Sequence, residues 1–164
     1  MNKFLFPVLF TWLLTWCYFI RLSLARPARP AIVDVVITVK TDKVYVRQVV
    51  ESVVRYRPDD AILRQRVIFV DDGSPIETQN YIAGLCNASS IDFICLATTQ
   101  EQPGYTFAVN MGVSFGRNYS EAIVLLNSDT IVTDGWLIKL YRELFERDPK
   151  VRIVGPLSTA APFP

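Results

Sequence analysis

Apolar runs alternate with amphipathic segments along most of the chain. Runs rich in β-branched and aromatic residues indicate buried strands. In the segments between them, apolar residues recur at the spacing typical of helices. The predicted strands cover residues 32–39, 66–71, 91–97, 122–126 and 152–154. The predicted helices cover residues 44–56, 74–86, 105–116 and 136–147. Strands that alternate with helices of this length indicate an α/β fold with an open parallel sheet.

Two of these strands end on acidic residues. The run Val67–Val70 stops at Asp71 and Asp72, and the run 122–126 leads into a polar cluster that contains Asp129. In open α/β sheets, ligands bind outside the carboxyl ends of the strands. We therefore expect these carboxylates to lie at a ligand site.

An uncharged apolar run, residues 4–20, precedes the predicted domain. It is at the short end of the roughly 17–25 residues that span a bilayer. We expect residues 1–25 to form a hydrophobic signal-anchor helix, or alternatively a cleaved signal, because Ser23-Leu-Ala25 resembles a cleavage site. Residues 26–30 form a stem rich in proline and arginine, and the domain covers residues 31–164.

This organisation predicts a single-pass membrane protein, in the Golgi or secretory pathway if the source is eukaryotic. A secreted or lumenal protein is the alternative. Asn87 and Asn118 begin glycosylation sequons, which are used only in such a lumen.

Composition removes several classes of function. The chain of 164 residues has no histidine, which excludes histidine-based triads and HExxH zinc sites within it. Four of its 17 basic residues precede Asp34, the first acid, so the rest of the chain carries an excess of its 16 acids. No nucleic-acid partner is expected. No GxGxxG motif follows the first strand, which argues against a dinucleotide-dependent oxidoreductase.

The three cysteines do not form a CxxC motif. Cys86 and Cys95 form a disulfide if the compartment is oxidising, or alternatively they are free cysteines buried in the core. The sequence leaves both readings open.

Five segments together resemble the successive signatures of family 2 glycosyltransferases. They occur in the order and spacing of that family and are Val35-Val-Ile-Thr-Val39, Val70-Asp-Asp-Gly-Ser74, Gln102-Pro-Gly-Tyr-Thr-Phe-Ala-Val-Asn-Met-Gly112, Leu125-Leu-Asn-Ser-Asp-Thr130 and Val154-Gly-Pro-Leu157. The resemblance implies a Rossmann-like GT-A fold, a UDP- or dTDP-sugar donor, a divalent metal and an inverting displacement. The acceptor, whether glycan, lipid or protein, is not indicated.

The resemblance also implies roles for individual residues. Those assigned to the donor nucleotide are Thr38, Asp71, Asp72, Gly104, Asn110 and Asn127. A carboxylate at a strand tip accepts the imide N–H of uracil or a ribose hydroxyl, and this role is given first to Asp72 and second to Asp71. Asp129 stands at the DxD-type position, where it is expected to hold Mg²⁺ or Mn²⁺ against the diphosphate.

Three positions depart from the family's usual pattern. Asn127 replaces the first acid of the metal motif, which leaves one carboxylate there. Thr38 stands where proline is usual, and Gln102 where asparagine is usual. None of these changes removes the last acid of the metal motif.

The family's acceptor site and catalytic base lie beyond the matched segments. We expect the base after Pro164, so the 164 residues represent a C-terminally truncated enzyme, a donor-binding half that is inactive alone. The function expected is glycosyl transfer from a nucleotide sugar. The alternative is a non-catalytic nucleotide-binding module.

Overall fold

The computed structural model describes residues 30–88, 92–99, 104–118, 120–148 and 150–156. These residues form four strands and four helices that alternate along the chain. The strands are β1 (Ala31–Val39), β2 (Leu63–Asp71), β3 (Phe93–Ala97) and β4 (Ala122–Asn127). The helices are α1 (Lys43–Arg55), α2 (Ile76–Ala88), α3 (Tyr105–Gly116) and α4 (Trp136–Phe145). The predicted α/β fold is confirmed.

The four strands form one parallel sheet in the order β3-β2-β1-β4. The central strand β1 pairs with β2 from Ala31 to Val39 and with β4 from Val33 to Thr38. Because all four strands run the same way, their carboxyl ends meet at one edge of the sheet.

Helices cover both faces of this sheet. On one face, β1 and β2 pack against α1, α2 and α4 in a core that includes Phe69, Val49, Ile82 and Leu137. On the other face, α3 packs through Ala108 against Val36, Ile68 and Val70. A Cβ on Gly112 would collide with the side chain of Val36, so this glycine lets α3 lie close to the strands.

A buried ion pair joins the two central strands near their amino ends. Asp34 and Arg66 are directly opposite in the parallel register. The guanidinium donates to both carboxylate oxygens of Asp34, at 2.7 and 2.8 Å. Asp34 is 0% exposed, and a Cβ on Gly116 would come within 2.5 Å of its Oδ2 atom. Helix α3 therefore ends directly over the ion pair.

A disulfide joins Cys86 on α2 to Cys95 on β3, with the Cα atoms 6.3 Å apart. It fastens the end of α2 to the strand that follows it in sequence. Of the two readings that the sequence left open, the structure has the disulfide.

One local prediction was wrong. Residues 152–154 are not a strand, and the side chain of Ile153 is 90% exposed, because no neighbouring strand among the described residues pairs with this segment. Asp42 occupies the N-cap position of α1, but its side chain makes no capping hydrogen bond.

The predicted membrane location also needs correction. The longest helices, α1 and α2, have 13 residues, whereas a span needs about 20 apolar residues. Within the described ranges, no helix combines the length and the apolar character that crossing a bilayer requires. The predicted hydrophobic helix at residues 1–25 lies outside the described residues. The structure therefore gives no support to the predicted membrane location.

Candidate functional site: the carboxyl edge of the sheet

The register of the sheet brings most of the predicted site residues to one edge. Thr38 on β1 is paired with Val70 on β2 and with Asn127 on β4. One residue further along, Val39 pairs with Asp71, which in turn pairs with Ala97 at the end of β3. Polar residues of β1, β2 and β4 therefore all lie at the carboxyl edge, with Thr38 and Asn127 on one face of the sheet and Asp71 on the other.

Asp72 is the most enclosed acid of this edge, with a side chain only 3% exposed. The backbone N–H of Gly104 donates to both of its carboxylate oxygens, at 2.8 and 3.1 Å. The Thr98 hydroxyl donates to Oδ1 at 3.1 Å, and the Lys40 ammonium lies 3.4 Å from Oδ2. One carboxylate thus connects the ends of β1, β2 and β3 to the start of α3.

These donors favour the ionised form of Asp72. The Gly104 N–H, assisted by Thr98 and Lys40, lowers the pKa of the Asp72 carboxyl, although burial acts in the opposite direction. Asp72 therefore remains an anion at neutral pH in spite of its burial. Its longest contact is the one to the exposed Lys40 ammonium, so that contact is the most readily exchanged for a ligand donor.

Asp71 is placed differently from Asp72. Its side chain is half-buried, and its Oδ1 atom accepts the backbone N–H of Ser74 at 3.0 Å. This short-range bond shapes the turn between β2 and α2. The carboxylate is thus fixed at the strand tip, with more exposure to solvent than Asp72 has.

The tip of β4 carries Asn127 and Asp129. The N–H of Thr130 donates to the carbonyl of Asn127 at 3.2 Å, which closes a tight turn. Both side chains are exposed. In the part of the chain that the structure describes, no group forms a hydrogen bond with the Asp129 carboxylate. Its oxygens are therefore directed at solvent beside the strand ends.

The donor set at this tip fits a divalent metal only in part. No cluster of three acidic or cysteine side chains occurs within the described residues. One carboxylate and one amide oxygen suit Mg²⁺ or Mn²⁺, provided that water and substrate phosphates complete the shell. An ion held by Asp129 would therefore depend on a bound diphosphate for most of its ligands.

Gly104, the N-cap residue of α3, and Asn110, within α3, were both predicted for the site but differ in position. Gly104 has a φ of 133° and directs its N–H at Asp72. Since a Cβ there would meet nothing within 4 Å, its backbone angle, rather than lack of space, favours glycine. Asn110 is exposed and lies roughly 9 Å further along the helix axis. The structure therefore brings Gly104, but not Asn110, to the strand tips.

Sequence reasoning missed Lys40 and Thr98. Lys40 directly follows β1 and Thr98 directly follows β3, so both lie at the carboxyl edge. The rule that placed Asp71 and Asp72 at the site applies to every parallel strand and would have found both residues. Neither had been assigned a functional role.

Comparison with known proteins shows the family of this chain. The family model for glycosyl transferase family 2 matches residues 34–159, which is most of the chain and includes all four strand tips. The chain belongs to glycosyl transferase family 2.

A solved structure shows the same fold for this family 2 domain. The crystal structure of S. aureus TarS residues 1–349 is similar, with a TM-score of 0.56 and 15% sequence identity. The match covers 70% of this chain and 32% of the TarS chain, so this chain spans about a third of that structure's length. A search of curated proteins found no match. The sheet and its helices are thus like those of a GT-A glycosyltransferase.

Proposed function

We propose that the carboxyl edge of the sheet binds the nucleotide part of a nucleotide-sugar donor. The observation that carries this proposal is the convergence of Thr38, Asp71, Asp72, Asn127 and Asp129 at one edge. Each of them lies at or just after the carboxyl end of a parallel strand, where ligands of open α/β sheets bind. Family membership supports sugar transfer as the reaction that this donor serves.

The tip of β2 is the proposed nucleoside subsite. Asp72 is held ionised, and its acceptor oxygens match a base or ribose that presents an N–H or O–H. Uracil and thymine present an imide N–H, whereas cytosine presents an unprotonated nitrogen that a carboxylate repels. A UDP- or dTDP-sugar is therefore the proposed donor, with Asp71 as the second acid at this subsite.

The tip of β4 is the proposed diphosphate subsite. Asp129 and the amide of Asn127 would hold Mg²⁺ or Mn²⁺ together with the diphosphate oxygens. Such an ion supplies charge stabilisation to the departing nucleoside diphosphate. Because this motif has one carboxylate, Asp129 is its one negatively charged side chain for binding the metal ion.

The acceptor side of the reaction is less well defined than the donor side. For an inverting displacement, a carboxylate must deprotonate the acceptor hydroxyl, and none of the residues assigned above has that role. Residues 31–164 are therefore proposed to contribute donor binding to the transfer. A non-catalytic nucleotide-binding module is the second candidate, favoured by the fact that each assigned residue serves the donor and none the acceptor.

The Asp129→Ala variant tests the proposed diphosphate subsite. We expect wild-type protein to bind UDP about tenfold more tightly with Mn²⁺ than without it, and the variant to lose that difference. Calorimetric titration of UDP into both proteins, with and without Mn²⁺, measures the effect.

Asp134→Ala is the matched control, because Asp134 is an exposed acid five residues further along the chain. It should retain the wild-type response to Mn²⁺. If wild type and both variants bind UDP equally well with and without the metal, Asp129 does not belong to the site.

A further inference from the structure

Lys40 lies at the carboxyl edge of the sheet but has no role in the donor site proposed above. It follows the last residue of β1, the strand that lies between the nucleoside tip on β2 and the metal tip on β4. Its side chain is 62% exposed, while its Nζ atom lies 3.4 Å from Oδ2 of the buried Asp72. The ammonium is therefore held at the edge of the sheet and remains accessible to a ligand.

The charges at this edge require a cation if an anion is to bind. Asp71, Asp72 and Asp129 all lie at the carboxyl ends of their strands, and each carries a negative charge when ionised. A nucleoside diphosphate brings more negative charge to the same place. Since like charges repel, a ligand of this kind needs positive charge beyond that of a weakly held metal.

The existing contact of Lys40 is of the kind that a ligand can replace. At 3.4 Å it is the longest of the contacts made to the Asp72 carboxylate, and the Lys40 side chain is largely exposed. Gly104 and Thr98 continue to bond to Asp72 if Lys40 moves away. A lysine ammonium is a compact charge on a flexible stem and a common ligand of phosphate groups.

We propose that Lys40 is a donor-binding residue whose ammonium moves from Asp72 to the diphosphate of the bound nucleotide. This inference rests on the proposed function and adds a protein cation to its diphosphate subsite. When Lys40 leaves Asp72, the released carboxylate oxygen becomes available to an N–H or O–H of the nucleoside. Binding of the phosphates and binding of the nucleoside are thereby coupled through one side chain.

The test compares UDP with uridine, which lacks the phosphates. In the full chain, Lys40→Met should weaken UDP binding about tenfold and uridine binding less than about twofold. Lys40→Arg should retain most of the UDP affinity, because it keeps the charge. Titration calorimetry for UDP and ligand-observed NMR for uridine give the affinities, and thermal unfolding verifies that each variant is folded.

Lys43→Met is the matched control. Lys43 begins α1 at the same edge of the sheet, but its Nζ atom lies over the Tyr81 ring, 5.8 Å from the ring centroid. The Lys43→Met substitution removes one positive charge, as Lys40→Met does, but removes no contact of Asp72. It should leave the UDP affinity unchanged.

Three outcomes would overturn the role of Lys40. They are equal UDP affinity in Lys40→Met and wild type, equal losses for UDP and uridine, and a loss in Lys40→Arg as large as in Lys40→Met. In each of them wild type still binds UDP, so the proposed function survives. Wild-type protein that binds neither ligand would overturn the proposed function together with this inference.

Discussion

Replacing Asp34 by asparagine is expected to lower the free energy of unfolding by about 3–5 kcal/mol. The Asp34 carboxylate is 0% exposed, and it accepts two hydrogen bonds from a guanidinium that is only 16% exposed. The substitution removes the negative charge and leaves the charge of Arg66 largely buried. Urea unfolding of both proteins at neutral pH measures the difference.

Asp92→Asn is the matched control for that substitution. Asp92 also accepts two hydrogen bonds from an arginine, Arg64, but here the arginine side chain is 49% exposed. Solvent screens this pair, so its loss should destabilise the protein much less. A loss at Asp34 no larger than the loss at Asp92 would show that burial does not govern the strength of these pairs.

Replacing Asp72 by asparagine is expected to destabilise the protein by about 1.5–3 kcal/mol at neutral pH and to weaken UDP binding. The ionised carboxylate accepts the Gly104 N–H with both oxygens and also bonds to Thr98 and Lys40. An amide offers one acceptor oxygen and no charge, so this arrangement cannot be kept. Urea unfolding and UDP titration of the same samples give both quantities.

The effect of Asp72→Asn should depend on pH. The Gly104 N–H above all lowers the pKa of Asp72 in the folded protein, so the ionised form stabilises the fold above the unfolded-state pKa of about 3.9. That stabilisation is lost as the pH falls through the lower, folded-state pKa. The stability difference between wild type and variant should therefore be full near pH 7 and shrink below about pH 4.

Asp71→Asn provides the control for the same comparison. Asp71 is half-buried, and its carboxylate accepts one backbone N–H, from Ser74. An asparagine oxygen can accept that bond as well, so the loss of stability should be smaller than for Asp72. Equal losses at neutral pH, or a difference for Asp72 that does not shrink in acid, would contradict the role given to its charge.

The sequence predicted those parts of the fold that depend on local pattern. The apolar run that ends at Asp71 is β2, and the helix predicted over residues 44–56 is α1, which buries Val46, Val49, Val50 and Val53. The β-branched Ile153 and Val154 led to a strand being predicted at residues 152–154, yet these residues form no strand. A strand needs a partner, and pairing is a long-range property that a local pattern does not contain.

The candidate site was predictable in its position but not in its contacts. Parallel strands bring their carboxyl ends together, so the acids at two strand tips were expected at one edge of the sheet, and the structure has them there. The bond between Asp72 and Gly104 joins residues 32 positions apart and depends on the path of the chain into α3. The strand-end rule could have placed Lys40 at this edge, but its contact with Asp72 joins residues 32 positions apart and is seen only in the folded chain.

The carboxyl edge of the sheet is proposed to bind a nucleoside diphosphate. The most direct test follows the backbone amide signals of the isotope-labelled full chain while UDP and Mg²⁺ are added. We expect the signals of Gly104, Thr98 and Asp129 to shift, and those of Asp92 and Glu121 at the opposite edge to stay in place. Shifts centred on the opposite edge, or no shifts at any UDP concentration, would contradict the claim.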